Sequence, residues 1–378
     1  MTQKKLLQIC ACVIAGGLVL AAVGFFNGAN LNTTFDLNGT KNNRGTPHEI
    51  KKENLAAFES IDLSIRDGNI EFIPSDHYGI VINYHGDADR FTCTDESGIL
   101  TVTDKSIQLV QVQIGFFQNN NDSVKIYLPK DTQMKNLMIK NQFGNFTAAN
   151  FNSATTNINL SCGTLKLTDA VCGKTDLTLN SGKSDLINIK TDTLKYRNDL
   201  GSCNFENVTV SGSEQASIHA SSGAITMKNC TGNSIEINDN LGSVTLDGLN
   251  ASHLKSDLSS GSLKMNSCTI GNLEANSSLG SIDIQQLDSN GVNITCSSGE
   301  INLQGALKGS NTVHSNLGSV SVKTTLPQNQ YKFKASSDLG KVTVNGSEEG
   351  KNITQTGNTE NSLEVTTDSG AVTLDFQG

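Results

Sequence analysis

The amino-acid sequence predicts an all-β protein built as a parallel β-solenoid, in which short coils of chain stack on one another. Three observations predict this fold class. Glycines recur at a fixed spacing, apolar and polar residues alternate after each glycine, and the composition suits short strands joined by tight turns. The 378 residues include 35 glycines, only 4 prolines and no tryptophan, which disfavours a helical bundle.

The repeat is marked by twelve glycines, and eight of the eleven spacings between them are identical, which gives a 19-residue period. The three longer spacings indicate loop insertions. A fixed period of this length is typical of solenoids, because one unit cannot bury its apolar face without a stacked neighbour. We therefore expect about 12 units within residues 141–378, marked by Gly144, Gly163, Gly182, Gly201, Gly223, Gly242, Gly261, Gly280, Gly299, Gly318, Gly340 and Gly370.

Each position in the unit has a predicted role. Ser, Asn or Asp stands two residues before nearly every glycine and, with the glycine, predicts a turn. Apolar residues follow two and four positions after the glycine, as in Val244 and Leu246, which indicates a strand with one buried face. The seventh position is also apolar and places Cys230 and Cys268 in the core. A second strand completes a unit with about five inward side chains.

The sequence leaves two coil lengths open. The residue before the glycine alternates between Ser and Leu from Ser181 to Leu317. A coil of two periods, with 38 residues, would therefore stack serine on serine and leucine on leucine. A coil of one period has the smaller interior, which its few inward side chains can fill. We expect the shorter coil, and with strands ~4.8 Å apart a rod on the order of 55–60 Å from Gly144 onwards. A run of antiparallel hairpins is the alternative fold.

Residues 56–140 are rich in strands but lack the period. Because terminal solenoid units must hide an open edge, we interpret this region as an irregular β-rich cap and first coils. A separate small β-sandwich is the alternative. Residues 28–55 are polar and predict a flexible spacer, and the overlapping segment 48–58 could form one or two helical turns.

Residues 1–27 predict a transmembrane signal anchor. Residues 6–26 are apolar apart from Gln8, long enough to cross a bilayer, and Lys4 and Lys5 precede them. By the positive-inside rule the N-terminus is cytoplasmic and the C-terminal domain extracytoplasmic. A signal peptide cleaved after Ala22-Val23-Gly24 is the alternative.

Composition excludes some functions and leaves others without candidates. The net charge is −9 and the four arginines are scattered, which excludes a nucleic-acid-binding face. Seven cysteines beyond the anchor show neither disulfide nor zinc spacing. One metal-site hypothesis places His77 and His85 near Asp87 and Asp89. We assign no catalytic, cofactor-binding or metal residue and expect no cofactor.

Several segments resemble the putative-adhesin domain family of bacterial envelope proteins. They are F-E-S-I-D-L (Phe58 to Leu63), D-G-N-I-E-F-I (Asp67 to Ile73), V-K-I-Y-L-P (Val124 to Pro129) and the repeated S-G or L-G units. The likeness covers about residues 56–378. It implies a right-handed β-solenoid and an envelope location, and it supplies no catalytic residues.

These observations predict a non-enzymatic, membrane-anchored extracytoplasmic solenoid that serves as an adhesin, an envelope scaffold or a stress-associated binding protein. Its expected partners are the membrane, through residues 6–26, and a cell-wall glycan or another envelope protein. The alternative is a carbohydrate-active enzyme, a polysaccharide lyase or hydrolase on a β-helix. That chemistry needs carboxylates side by side, whereas Asp185 and Asp283 fall several units apart.

Overall fold

The computed structural model describes residues 33–36, 39–42, 46–108, 112–114, 122–130 and 132–377. The described chain is almost entirely strand, and its helices are two short 3₁₀ segments, Lys105–Gln108 and Gln328–Gln330. No helix among the described residues is long and apolar enough to cross a membrane. The predicted anchor, residues 6–26, lies outside them.

The strands before the regular repeat are β1 (Thr33–Asp36), β2 (Gly39–Asn42), β3 (Pro47–Lys52), β4 (Ser60–Asp67), β5 (Asn69–Ser75), β6 (Gly79–His85), β7 (Phe91–Glu96), β8 (Ile99–Asp104), β9 (Val112–Ile114), β10 (Ser123–Pro129) and β11 (Gln133–Phe143). The repeat itself begins with β12 (Phe146–Leu200), β13 (Cys203–Glu206), β14 (Thr209–Val210), β15 (Ala216–Lys228), β16 (Thr231–Asp247), β17 (Asn250–Asn266), β18 (Thr269–Leu279), β19 (Ile282–Ser298) and β20 (Ile301–Leu317). The C-terminal strands are β21 (Val320–Thr324), β22 (Tyr331–Ser337), β23 (Val342–Val344), β24 (Ser347–Gly350), β25 (Asn352–Gln355), β26 (Asn361–Ser369) and β27 (Val372–Phe376).

The strand register decides the coil length. In the regular part of the repeat each residue pairs in parallel with the residue one period later, as Ile235 does with Leu254 and Leu263 with Ile282. The prediction of a 19-residue coil is therefore confirmed. Large and small side chains consequently alternate along the row of residues before the glycines, as the shorter coil requires.

The interior of each coil is larger than the sequence suggested. Seven positions point inwards rather than five, at two, four, seven, nine, twelve, fourteen and sixteen residues after the glycine. In the coil that begins at Gly261 these are Leu263, Met265, Cys268, Ile270, Leu273, Ala275 and Ser277, all buried. Cys230 and Cys268 are each 1% exposed, which confirms their predicted core position.

The phrase-opening glycines form a column that we call the glycine ladder. Most adopt a φ between +132° and +150°, a conformation open mainly to glycine. A Cβ on Gly261 would lie 1.6 Å from the carbonyl oxygen of Gly242, and the other ladder positions are similarly close. Gly68, within the irregular N-terminal region, also belongs to the ladder, because its carbonyl oxygen faces Gly144.

A second corner follows each pair of inward residues, six positions after the glycine. Asn, Asp, Ser or Gln occupies it with a φ between 51° and 56° at Asn150, Asp169, Asn188, Asn207, Asn229, Ser267 and Gln286. Short polar side chains tolerate this left-handed conformation, and they bond between coils. Asn207 Nδ2, for example, donates to Asn188 Oδ1 at 2.8 Å.

Antiparallel strands cover the N-terminal end of the stack. β4 pairs in parallel with β11 on one side and with β8 on the other, and β7 then pairs antiparallel with β8. On another face β5 pairs in parallel with β10, which is followed by antiparallel β6 and β3. The prediction of helical turns over 48–58 is wrong, because β3 lies there and pairs with the edge of β6 that would otherwise be free. The predicted flexible spacer 28–55 includes β1, β2 and β3.

The last two coils stack in the reverse of their chain order. β26 pairs with β20 and with β22, so it lies between them, and β27 lies in the same way between β21 and β23. Antiparallel β25 and β24 then cover the outer edges of β22 and β23. The chain therefore leaves a gap of one coil, forms the terminal coil and its cap, and returns to fill the gap.

Candidate functional site

Exposed leucines lie along one edge of the solenoid, directly before the ladder glycines. The glycine turns the chain at this corner, and the preceding side chain lies on the outer surface. Leu200, Leu241, Leu279 and Leu317 are 56–58% exposed and Leu339 is 77% exposed. Since folding has not buried these side chains, their place on the surface calls for another explanation.

The leucines alternate with half-buried serines from coil to coil. We call the column the leucine row; in spatial order it consists of Ser181, Leu200, Ser222, Leu241, Ser260, Leu279, Ser298, Leu317, Ser369 and Leu339. With coils ~4.8 Å apart, neighbouring leucines are ~9.6 Å apart and the row is about 45 Å long.

The alternation follows the order of the coils in space rather than in sequence. Along the chain Leu317 is followed by Leu339 and then Ser369, which breaks the pattern. In the fold Leu317 pairs with Ser369, and Gly340 lies next to Gly370. The reversed last coils therefore restore the alternation, which indicates that the pattern belongs to the assembled surface.

The middle of the row is almost free of charge. Between residues 240 and 319, the positions that flank the leucines and serines at this corner are Ser or Asn, apart from Glu300. Apart from Glu300, the charged residues beside the row lie towards its ends, where Arg197 pairs with Asp199 at 2.8 Å and Lys341 with Glu348 at 2.8 Å. An uncharged strip with regular apolar projections suits contact with another surface better than binding of an ion.

A charged cluster ties the N-terminal strands together. Arg90, 11% exposed, contacts Asp67, Asp104 and Asp122 at 2.6, 2.8 and 2.7 Å. Burial would lower the pKa of Arg90, but hydrogen bonds with Asp104 and the charge of Asp67 raise it above its ordinary value. Although burial acts in the opposite direction, hydrogen bonds from Arg90 and Ser106 hold the pKa of Asp104 below its usual range. Because Arg90 bonds to three carboxylates from different N-terminal segments, we interpret this cluster as a structural clamp that holds those segments together.

The hypothesis that joined His77 and His85 in one metal site is wrong. The two residues flank opposite ends of β6, and a strand of this length separates them by about 20 Å. His77 Nδ1 lies 2.6 Å from Asp76, and His85 Nδ1 lies 2.8 Å from Asp122. Within the described ranges no three His, Cys, Asp or Glu side chains gather as metal ligands. The expectation of no metal stays a prediction.

The acidic residues weighed for glycan chemistry do not meet. Asp185 and Asp283 lie five coils apart, about 24 Å, whereas paired glycosidase carboxylates are about 5–10 Å apart. Asp185 instead pairs with Lys183 at 2.9 Å.

The most unusual acid is Asp239, which is 1% exposed and has no hydrogen-bond partner on either carboxylate oxygen among the described residues. Burial raises the pKa of Asp239 to about 6.

The sequence profile of the Toastrack DUF4097 family matches the chain twice, over residues 58–217 and 212–375. This chain belongs to the Toastrack DUF4097 family. The resemblance to the putative-adhesin domain family is thereby confirmed. The two matches together span the irregular N-terminal region, the regular coils and the reversed C-terminal coils.

The Toastrack chain also shows remote similarity to solved structures. A putative cell adhesion protein from Clostridium sporogenes is 12% identical, with 88% of this chain and 100% of that one covered and a TM-score of 0.19. A putative adhesin from Bacteroides fragilis is 12% identical, covers 87% and 97%, and has a TM-score of 0.20. A putative lipid binding protein from Parabacteroides distasonis is 14% identical, covers 88% and 98%, and has a TM-score of 0.23. Scores this low carry no functional conclusion, and no curated protein matches this Toastrack sequence.

Proposed function

We propose that this Toastrack protein is a non-enzymatic binding rod of the cell envelope. Residues 6–26 anchor it in the membrane with its N-terminus in the cytoplasm, and the solenoid lies outside the membrane as an adhesin or envelope scaffold. A cell-wall glycan or another envelope protein is the partner class. The anchor and the location are drawn from sequence, since those residues lie outside the described part of the chain.

The leucine row is the observation that carries this proposal. A surface built for catalysis concentrates polar groups with shifted pKa values in a cleft. The row instead presents uncharged apolar projections at a fixed interval along an exposed edge. Rigid stacking holds each projection at a set distance from the next, and such regularity is useful for adhesion to an extended partner.

Binding of the full chain to envelope preparations from its source cell tests the proposal. The variant Leu241→Ser/Leu279→Ser/Leu317→Ser should retain its thermal unfolding midpoint and lose most binding in a sedimentation assay, because the side chains that it removes are exposed. Val171, 53% exposed and on a different face, supplies the matched control Val171→Ser, which should bind like the wild type. Equal binding by all three proteins would contradict the proposal, as would turnover of an envelope glycan by the wild type.

A further inference from the structure

We propose that the occupant of the leucine row is a second copy of this chain, packed antiparallel so that the leucines of each copy enter the serine positions of the other. This inference rests on the proposed function, because it takes the row as the binding surface. It adds the identity of the partner and the geometry of the contact.

The alternation of projecting leucines and small serines is the first reason for choosing a second copy as the partner. Each leucine projects from the surface, and each neighbouring serine, a much smaller side chain, leaves a notch between two leucines. The ridge therefore repeats every two coils, ~9.6 Å, over ten coils. A partner must match this repeat over the whole length, since a small difference in period accumulates along five leucines. A second copy has the identical period and cannot drift out of register.

Symmetry selects the antiparallel arrangement. A two-fold axis parallel to the rods would place Leu on Leu and Ser on Ser, with gaps at every serine. A two-fold axis perpendicular to the rods, between the coils of Ser260 and Leu279, places a serine opposite every leucine and closes the assembly as a dimer. The facing pairs are then Leu200 with Ser369, Leu241 with Ser298, Leu279 with Ser260, Leu317 with Ser222, and Leu339 with Ser181.

This register uses every leucine and every serine of the row. The match depends on the reversed order of the last two coils, because Leu317, Ser369 and Leu339 alternate only in the folded protein. Interdigitation also gives close packing, which two surfaces need in order to exclude water.

The area and charge of the strip are consistent with a dimer whose interface is small. A strip about 45 Å long and about 13 Å wide buries roughly 600 Å² per copy, at the lower limit for a specific interface. Lys183 and Lys341 face each other at the ends of the dimer, but each is more than half exposed and already pairs within its own chain, with Asp185 and Glu348. Their repulsion across the interface is small in salt solution.

Disulfide trapping of the full chain tests both the partner and its direction. In a background in which Cys10, Cys12, Cys93 and Cys162 are replaced by alanine, Leu241→Cys and Ser298→Cys are prepared as separate proteins with tags of different size. These two positions face each other across the antiparallel dimer. When two copies of the same variant form that dimer, their introduced thiols are about 14 Å apart, too far for a disulfide.

Mild oxidation of the mixture should give a mixed dimer at least about tenfold more abundant than the dimer of either variant alone. Adding Leu279→Ser to both proteins should reduce that product several-fold. Val171→Cys, which is exposed but away from the row, should not cross-link with either protein. Circular dichroism of each variant establishes that it is folded.

Three results separate the possibilities. A dimer formed by Leu241→Cys alone, without the mixed product, overturns the antiparallel arrangement in favour of a parallel one. If neither the mixed dimer nor the dimer of Leu241→Cys forms at any concentration tested, the partner of the leucine row is not a second copy of the chain. If envelope binding still depends on Leu241, Leu279 and Leu317 in that case, the inference fails while the proposed function stands.

Discussion

The carbonyl oxygen of Gly242 points at Gly261 in the next coil, and a Cβ added to Gly261 would lie 1.6 Å from it. The same close approach occurs along the glycine ladder, from Gly68 to the reversed pair Gly370 and Gly340. The ladder is thus a column of positions that leave no room for a side chain between neighbouring coils, and it lies directly beside the leucine row. The positive φ at most of these glycines turns the chain, and the preceding leucine lies on the outer surface.

Gly261→Ala should destabilise the fold by several kcal/mol, because the methyl group both collides with a rigid backbone and occupies an unfavourable φ of +150°. Gly346 separates the two effects. It has a φ of +80° and open space around its Cβ position, so Gly346→Ala should cost only about 1 kcal/mol. Urea unfolding followed by circular dichroism measures both free energies. Equal losses would show that the collision is relieved by a small shift of the coils.

Asp239 should make the fold less stable as the pH rises. Its pKa in the fold, about 6, lies above the ordinary value of 3.8, so between about pH 4 and pH 6 the unfolded chain holds fewer protons. The stabilising effect of the protonated form is therefore complete below pH 4 and is lost as the pH increases through 6. Urea unfolding across this range should show the decline, with Asp288→Asn on the outer surface as a control that keeps it.

Asp239→Asn should remove this decline and stabilise the protein at pH 7 by about 1–2 kcal/mol. The equivalent residue of another coil, Asn198, donates from Nδ2 to the carbonyl oxygen of Gly182 at 3.1 Å. We expect the new amide to donate in the same way to Gly223. A variant less stable than the wild type at pH 7 would contradict this.

Arg90→Met should destabilise the protein by about 3–5 kcal/mol at neutral pH, because it leaves the buried carboxylates Asp104 and Asp122 near Asp67 without their cation. Arg197 provides a surface control. It pairs with Asp199 but is 53% exposed, so Arg197→Met should cost at most about 1 kcal/mol. Thermal and urea unfolding test both; similar effects would show that the Arg90 cluster is not a structural clamp.

Cys268→Asp should cost several kcal/mol, since it places an unpaired charge in the core. Asn250→Asp adds the same charge on the outer surface and should change stability by less than about 0.5 kcal/mol. In the wild type, burial raises the pKa of Cys230 to about 11 and also raises the pKa of Cys268. Both thiols should therefore resist labelling until the protein unfolds, and rapid modification of the native protein would contradict the core assignment.

The anchor prediction concerns residues outside the described part of the chain. If residues 6–26 remain in the mature protein, it should stay with the membrane fraction after a high-salt wash and leave it only in detergent. N-terminal sequencing of the native protein provides the check. A mature chain that begins near Phe25 would identify a cleaved signal peptide instead.

Much of the fold was predictable because solenoid geometry is local. Glycines at a constant interval, with apolar residues two and four positions later, indicate the strand faces, the corner and the parallel stack. The second corner was missed, although Asn or Asp at Asn150, Asp169 and Asn188 marks it at the same interval. The inward positions nine and sixteen after the glycine were also missed, because they hold Cys172 and Leu179 in one coil and Ile270 and Ser277 in another. Neither set forms an obvious apolar run.

The sequence by itself determined the period, the alternation of inward and outward residues and the Ser/Leu alternation, because each depends on residues within one or two coils. Only the tertiary structure decided which coils are neighbours. It placed β26 between β20 and β22, gathered Asp67, Asp104 and Asp122 around Arg90, and joined Leu317, Ser369 and Leu339 into one row. The physical reason is that the repeated coils present similar edges, so local sequence favours several stacking orders almost equally. The caps, the loop lengths and long-range pairing select one of them.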